Sequence, residues 1–416
     1  MTRDLREAFI YLVRLGIGHE PVPVPSEDDA AMPGITSQDS NDVDWEALKA
    51  LVGKQGLTAV VLDGIGALQS SKTWTSQAAK PSERVQEFKT EMPQKLRRQW
   101  IGEVIRFYEN RYQQYEKAIG SLAGFYNQHG FKMMVLKGYA CSLDWPKPNH
   151  RQCGDIDIWL FNQQAAADKE LVSSFKLQDP GFKIDNSHHH HTVFRWQGFS
   201  VENHFDFVNV YQHKSHVGLE RILKELGNFK VESSELRVNG QLKECSDAGC
   251  KIQPVIVNGE VVYLPSPNLH ALFLLKHAAL HFVGTELNLR QILDWAFFLK
   301  EHGNEVDWEW LLTVVDEHGM MPFFNIINAI CVDDLGFDMS LFPAAQINPD
   351  LKQRVVDEVF ASAYNSKEDP NVFIRNIKRY QRWKGNAWKH QLCFKDSMWS
   401  TFWSGVWAHL LKPASI

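Results

Sequence analysis

The chain has 416 residues, 44% of them hydrophobic and 23% charged, with 14 tryptophans. This is globular composition, enough for roughly two or three cores, and it excludes a disordered or low-complexity protein. A net charge of −6 and a pI near 6.3 exclude a protein built mainly to coat nucleic acid, so no nucleic-acid partner is expected.

The first residues, MTRDLREAFIYLVRLGIG, do not read as a signal peptide: the apolar run is short, carries Arg14 and lacks a small-residue cleavage site. Leu5, Phe9, Leu12 and Val13 instead recur at helical spacing. No run reaches the roughly 20 apolar residues of a membrane span. Cysteines 141, 153, 245, 250, 331 and 393 contain no C-x-x-C pair and read as reduced thiols. A cytoplasmic location is expected.

Residues 19–43 are rich in Pro, Ser and Asp and read as a surface loop, after which Asp42 or Asp44 caps a helix through Trp45, Leu48 and Leu51. A polar loop at 70–82 leads into a long helical pattern over 83–129, with Pro93 at a start or restart. Leu96, Trp100, Val104, Tyr108, Tyr112, Tyr115, Ile119 and Leu122 form its apolar stripe. Gly130 ends the pattern, and an apolar strand over 132–136 follows. The first 130 residues thus read as a helical region without visible chemistry of its own.

Residues 131–265 carry the chemistry. In Gly154-Asp155-Ile156-Asp157-Ile158, alternation on a strand sends both carboxylates to one face and both isoleucines into the core. Two such charges side by side repel unless a cation lies between them, and Mg²⁺ or Mn²⁺ takes carboxylate oxygens together with substrate phosphates. Lys137-Gly138, at the end of the preceding strand, is a place where backbone can approach a phosphate. The competing reading is a strand edge with two solvated aspartates.

A helix is expected over 163–175, then a hairpin, 192–196 and 199–208, turning at Gln197-Gly198. On its second strand Glu202, His204 and Asp206 share a face. His188 to His191 precede it; on an extended chain consecutive side chains alternate, so the four cannot all ligate one ion, and they read as a strand entrance near substrate. A helical stretch at 218–226 and turns at Asn239-Gly240 and Asn258-Gly259 follow. Pro265-Ser266-Pro267 marks a boundary, and residues 266–416 read as helical. There His277 and His281 lie at i and i+4, too few for a zinc site by themselves, and Arg290 and Asp294 have the spacing of a helix ion pair. The tail from Asn371 combines basic residues with Trp399, Trp403 and Trp407 on one helix face. Two readings stay open for it: tryptophans packed onto the helical region, or an interfacial helix on an anionic membrane.

Leu136-Lys137-Gly138, an arginine (Arg151) four residues before Asp155-x-Asp157, and Val201-Glu202-Asn203-His204 together resemble the polymerase-β-type nucleotidyltransferase superfamily, and within it a bacterial nucleotidyltransferase-like family. The resemblance covers about residues 130–300. It implies an α+β protein: a small mixed-sheet nucleotidyltransferase core with N-terminal and C-terminal helical regions. It further implies Asp155, Asp157 and Glu202 as catalytic metal ligands with Asp206 in reserve, and Lys137, Gly138 and Arg151 as nucleotide-binding groups. His204, Asp206, His277, His281, Arg290 and Asp294 would frame the cleft. The implied activity is Mg²⁺- (or Mn²⁺-) dependent transfer of a nucleoside monophosphate from an NTP to a small-molecule or protein acceptor. Two departures stand out: Lys137 and Tyr139 flank a single glycine where the superfamily has Gly-Ser or Gly-Gly, and the loop to Asp155 is long and carries Pro146 and Pro148. They leave a second reading open, a nucleotide-binding or protein-interaction module whose catalysis has lapsed.

Overall fold

The computed structural model describes residues 3–19, 43–75, 92–176, 179–228, 251–284, 286–361 and 371–411. The expected turn at Asn239-Gly240, Cys245 and Cys250, and most of the loops at 19–43 and 70–82 lie outside them.

Helices α1 (Arg3–Gly16), α2 (Trp45–Gln55) and α3 (Thr58–Thr75) come first. Asp44 caps α2, its carboxylate accepting the Ala47 N–H at 3.0 Å. After Pro93, α4 (Gln94–Val104) passes through a π-helical turn, Ile105–Glu109, into α5 (Asn110–Gln128). The whole stripe from Leu96 to Leu122 is buried. Then come β1 (Met134–Val135), α6 (Tyr139–Ser142), β2 (Ile156–Trp159), α7 (Gln164–Phe175), β3 (His191–Trp196), β4 (Phe199–His204), α8 (His216–Gly227), β5 (Gln253–Val257) and β6 (Glu260–Leu264). The rest is helical: α9 (Pro267–Gly284), α10 (Leu289–His302), α11 (Trp308–Glu317), α12 (Met321–Ala329), α13 (Pro349–Ala361), α14 (Val372–Gly385), α15 (Ala387–Cys393) and α16 (Met398–Leu411).

The strands form one six-stranded mixed sheet in the order β3-β4-β2-β1-β6-β5. β2–β4 and β1–β6 are parallel, and the remaining pairs are antiparallel. The fold is α+β. Because side chains alternate across a strand, the sheet has two apolar faces. Ile156, Ile158, Val201 and Phe199 pack with Tyr115, Ile119 and Leu122 of α5. Met134, Leu136 and Trp159 join the opposite core, which holds α9 and α10 and also the apolar residues of α1 to α3. The first and last helical regions therefore share one core: Phe9 meets Phe360 edge-on at 5.7 Å, and Gln55 Nε2 donates to the Val359 carbonyl oxygen at 2.9 Å.

In the tail, the packed-tryptophan reading is overturned. Trp399, Trp403 and Trp407 are 63%, 57% and 65% exposed on one face of α16.

Candidate functional site

The parallel register of β2 and β4 sets Asp157 beside Glu202 and Trp159 beside His204. With Ile156 and Ile158 committed to the α5 face, alternation turns Asp157, Glu202 and His204 toward α9, where the His204 ring meets Phe273 at 6.5 Å. Asp157 is only 1% exposed. Its Oδ1 lies 3.0 Å from Lys137 Nζ and 3.2 Å from His204 Nε2. Burial would raise the Asp157 carboxyl, but Lys137 and His204 together hold it well below the usual carboxylate range. Glu202 goes the other way. Burial and the Asp157 charge push it up to about 8, so that near neutrality it carries a proton and Asp157 does not. Lys137 in turn stays charged despite burial, held chiefly by Asp157 and also by Asp155.

Asp155 stands just before β2, not on it. Its carbonyl oxygen accepts the Tyr115 hydroxyl at 2.6 Å. Gly138 is fitted to the same hydroxyl: its φ is +60°, and a Cβ there would come within 2.6 Å of the Tyr115 oxygen. Tyr115 thus ties the Lys137-Gly138 turn to the Asp155 backbone, a role invisible in the sequence, where it is one stripe residue among eight.

The His277 and His281 rings of α9 meet edge to face with centroids 4.4 Å apart, and both feel the Lys137 and Asp157 charges. Burial and the Lys137 charge keep them neutral, His281 down to about 4 and His277 well below its ordinary value. Arg290, at the start of α10, donates from Nη1 to the Gln152 backbone oxygen at 3.2 Å and the Gln152 Oε1 at 3.3 Å, while its buried Nε has no hydrogen-bond partner. Burial and neighbouring Arg151 lower its proton affinity, and Asp155 is among the charges that oppose this.

Two expectations need correction. Arg151 does not face the carboxylate site as a free phosphate ligand. Its Nε and Nη2 donate to Asp294 Oδ1 and Oδ2, both at 2.7 Å, and Trp145 Nε1 adds a third bond to Asp294 at 2.9 Å. Burial alone would lower the Arg151 guanidinium, but Asp294 raises it beyond its ordinary value. This pair pins the Pro-rich loop to α10, and Asp294 is taken by it instead of by Arg290. Asp206 is the second correction. β4 ends at His204, alternation stops there, and the Asp206 carboxylate bonds Lys224 of α8. Only its backbone serves the site: the carbonyl oxygen lies 3.2 Å from His204 Nδ1. A surface depression of about 560 Å³ beside it is lined by Asp206, Glu220, Arg221 and Lys224, away from Asp157.

The histidine run also differs from the extended chain expected. Residues 188–190 bend before β3 begins, so successive rings need not alternate. His190 and His191 both come to His204, with ring centroids 5.6 and 5.2 Å from it. Burial and the neighbouring His204 push His190 down to about 2 and His191 to about 3, leaving both neutral. Among the described residues, ligand atoms of Asp157, Glu202 and His204 lie within 4.8 Å of one another, as do those of His190, His191 and His204. The donor chemistry fits a divalent cation: adjacent carboxylates, one of which holds its proton because it is buried beside the Asp157 charge.

The profile of the family described as "uncharacterised nucleotidyltransferase" matches residues 41–333, which include every one of these side chains. The chain belongs to that family. No curated protein matches it. Among solved structures, an antigenic nucleotidyltransferase-like protein from Paracoccidioides brasiliensis is similar at 15% identity, over 60% of this chain and 96% of that one, with a TM-score of 0.29. A likeness at that TM-score carries no weight for the fold of this family member. Among the described residues, no helix is long and apolar enough to cross a membrane.

Proposed function

We propose that this family member is a divalent-cation-dependent nucleotidyltransferase, moving a nucleoside monophosphate from an NTP to the hydroxyl of a small molecule or protein side chain. The observation that carries this is the register of β2 and β4, which sets Asp157 beside Glu202 with Lys137 3.0 Å away. Asp155, Asp157 and Glu202 would hold Mg²⁺ or Mn²⁺, which when bound neutralises triphosphate charge and lowers the pKa of an acceptor hydroxyl. Lys137 and Arg290 supply positive charge on the same side, a role withdrawn from Arg151 by its pairing with Asp294. Gly138 keeps the turn before α6 free of a side chain. His277 and His281, neutral and half-buried, line the α9 wall without adding charge. In the transfer, the acceptor oxygen bonds to the α-phosphorus, the bond to the α–β bridging oxygen breaks, pyrophosphate leaves with the electron pair, and the acceptor's proton is lost to water. Such a reaction asks for positioning and charge neutralisation more than for a protein nucleophile.

A second reading has its own support. The Lys137–Asp157 ion pair already neutralises the carboxylate that a cation would need, as expected of a nucleotide-binding or protein-interaction module whose catalysis has lapsed. One experiment separates the two: titration of the purified protein with each NTP, with and without Mg²⁺ or Mn²⁺, alongside Asp155→Asn/Asp157→Asn. Cation-dependent binding lost in the variant, with pyrophosphate release once an acceptor is supplied, supports the transferase. Binding indifferent to both cation and carboxylates overturns it.

A further inference from the structure

We infer that His190, His191 and His204, with Glu202 at their edge, form a nitrogen-rich site for a borderline divalent transition metal of the Zn²⁺ or Co²⁺ class. The inference deepens the reading above and rests on its metal-binding half, because Glu202 belongs to both ligand sets and His204 Nε2 lies 3.2 Å from Asp157 Oδ1. The three rings form a tight triangle, with centroids 4.3 Å (His190–His191), 5.6 Å (His190–His204) and 5.2 Å (His191–His204) apart. One ligand atom from each lies within 4.8 Å of the other two. The Nδ1 atoms of His190 and His191 are buried and have no hydrogen-bond partner. A buried polar atom without a partner carries a cost of about 1–3 kcal/mol, and two in one cluster require an account. An ion accepting their lone pairs supplies it.

Glu202 completes the set, its Oε2 4.0 Å from His191 Nδ1 and 3.8 Å from His204 Nε2. The third imidazole is held at both nitrogens, with His204 Nδ1 3.2 Å from the Asp206 backbone oxygen and Nε2 3.2 Å from Asp157 Oδ1 and 3.8 Å from Glu202 Oε2. Histidine ligands are commonly set in this way by their second ring nitrogen. The chain path is built for it as well: the His190 carbonyl oxygen accepts the Phe205 and Asp206 N–H groups, both at 3.0 Å, pinning the bend against the end of β4. Imidazole nitrogen suits Zn²⁺ and Co²⁺, whereas Mg²⁺ prefers oxygen throughout.

The test uses the full chain loaded with Zn²⁺ for X-ray absorption and titrated with Co²⁺ for visible absorption. Two or more imidazoles in the zinc shell, and a Co²⁺ affinity that falls about tenfold or more in His190→Ala/His191→Ala, are expected. An all-oxygen zinc shell overturns the inference, as does unchanged Co²⁺ affinity in the double variant. If that variant does not fold, the absorption data on the unmutated chain still decide. Mg²⁺-dependent NTP binding is measured on the same preparation. Its survival without histidine ligation removes only this inference, and its absence with histidine ligation present removes only the transferase reading.

An independent observation carries a second inference, about the tail. We infer that α14 and α16 together dock on an anionic lipid surface, lying in its plane. Trp399, Trp403, Trp407 and Leu410 make one exposed stripe along α16, each at least 57% accessible. Trp383 of α14 meets Trp399 at 6.2 Å and Phe402 at 5.7 Å, so the two helices are joined along this aromatic surface. Lys384 on α14 and Lys395 just before α16 are exposed, and Asp396, the one acid between 371 and 411, accepts the Ser215 hydroxyl at 2.5 Å. Exposed tryptophan beside cation-rich helix is the chemistry of an interfacial anchor. Cosedimentation of the full chain with phosphatidylcholine vesicles, with and without phosphatidylglycerol, tests it. Binding to the anionic vesicles that weakens with salt and is lost in Trp403→Ser/Trp407→Ser is expected. No cosedimentation, or self-association through this face without vesicle binding, overturns it.

Discussion

Removing one member of the Arg151–Asp294 pair should cost more stability than any other single change in the Pro-rich loop. The side chains are 8% and 6% exposed, and two parallel bonds of 2.7 Å join them. Arg151→Met leaves the Asp294 carboxylate buried with Trp145 as its remaining side-chain donor. Breaking a buried pair from one side costs about 3–5 kcal/mol, because the surviving charge is stranded. With an unfolding entropy of about 2 cal/mol/K per residue, a kcal/mol in a chain of 416 residues is about 1 °C, so the melting temperature should fall by about 3–6 °C. Deleting both charges should be far milder, so Arg151→Met/Asp294→Leu is expected to recover most of the loss. Differential scanning fluorimetry on the two single variants and the double variant gives the cycle, and NTP titration of Arg151→Met completes it. If that variant kept its melting temperature but lost NTP affinity, the pairing argument would be refuted and Arg151 would be a phosphate ligand after all.

Gly138→Ala should destabilise by about 1–3 kcal/mol, since it forces a side chain to positive φ and into the Tyr115 hydroxyl. Tyr115→Phe in the same chain should restore part of that loss, read as a rise in melting temperature, and no restoration would show that the contact is not the cause. Lys276, 2% exposed on α9 with its Nζ 4.1 Å over the Phe394 ring, is pushed down to about 7 by burial. The folded chain therefore resists a proton that the unfolded chain keeps up to about 10.5, and stability should rise with pH between those values. Lys276→Met should raise the melting temperature most below pH 7, with the gain shrinking toward pH 10.5; a pH-independent difference would contradict the assignment. His302 is the opposite case, held up to about 9 by the Asp144 carboxylate at 3.2 Å and by Glu305 at 2.9 Å. Its contribution should be complete below about pH 6.5 and vanish as the pH passes about 9, so wild type and His302→Gln should converge in melting temperature at alkaline pH.

By itself the sequence determined what depends on near neighbours. The alternation of Asp157 with Ile156 and Ile158, the hairpin at Gln197-Gly198, the Asp44 cap and the stripe from Leu96 to Leu122 are set by strand and helix periods and by local hydrogen bonding. Those periods put Asp157 and Glu202 on one face of their strands, and the β2–β4 register then set them side by side. Only the tertiary structure decided which charge meets which. Arg151 has carboxylates at residues 155 and 157 close by in the chain, yet its partner lies 143 residues away on α10, because a buried guanidinium goes to whichever carboxylate is buried with it. Asp206 left the site because β4 stops at His204, and strand ends are set by pairing with β2 and β3, not by the residues' own alternation. The bend at 188–190 is of the same kind: a backbone oxygen captured by β4's exit turned two histidines inward that an extended chain would have sent apart. Position along the chain fixes a side chain's face, whereas its partner is fixed by desolvation, which acts on whatever the packed helices enclose together.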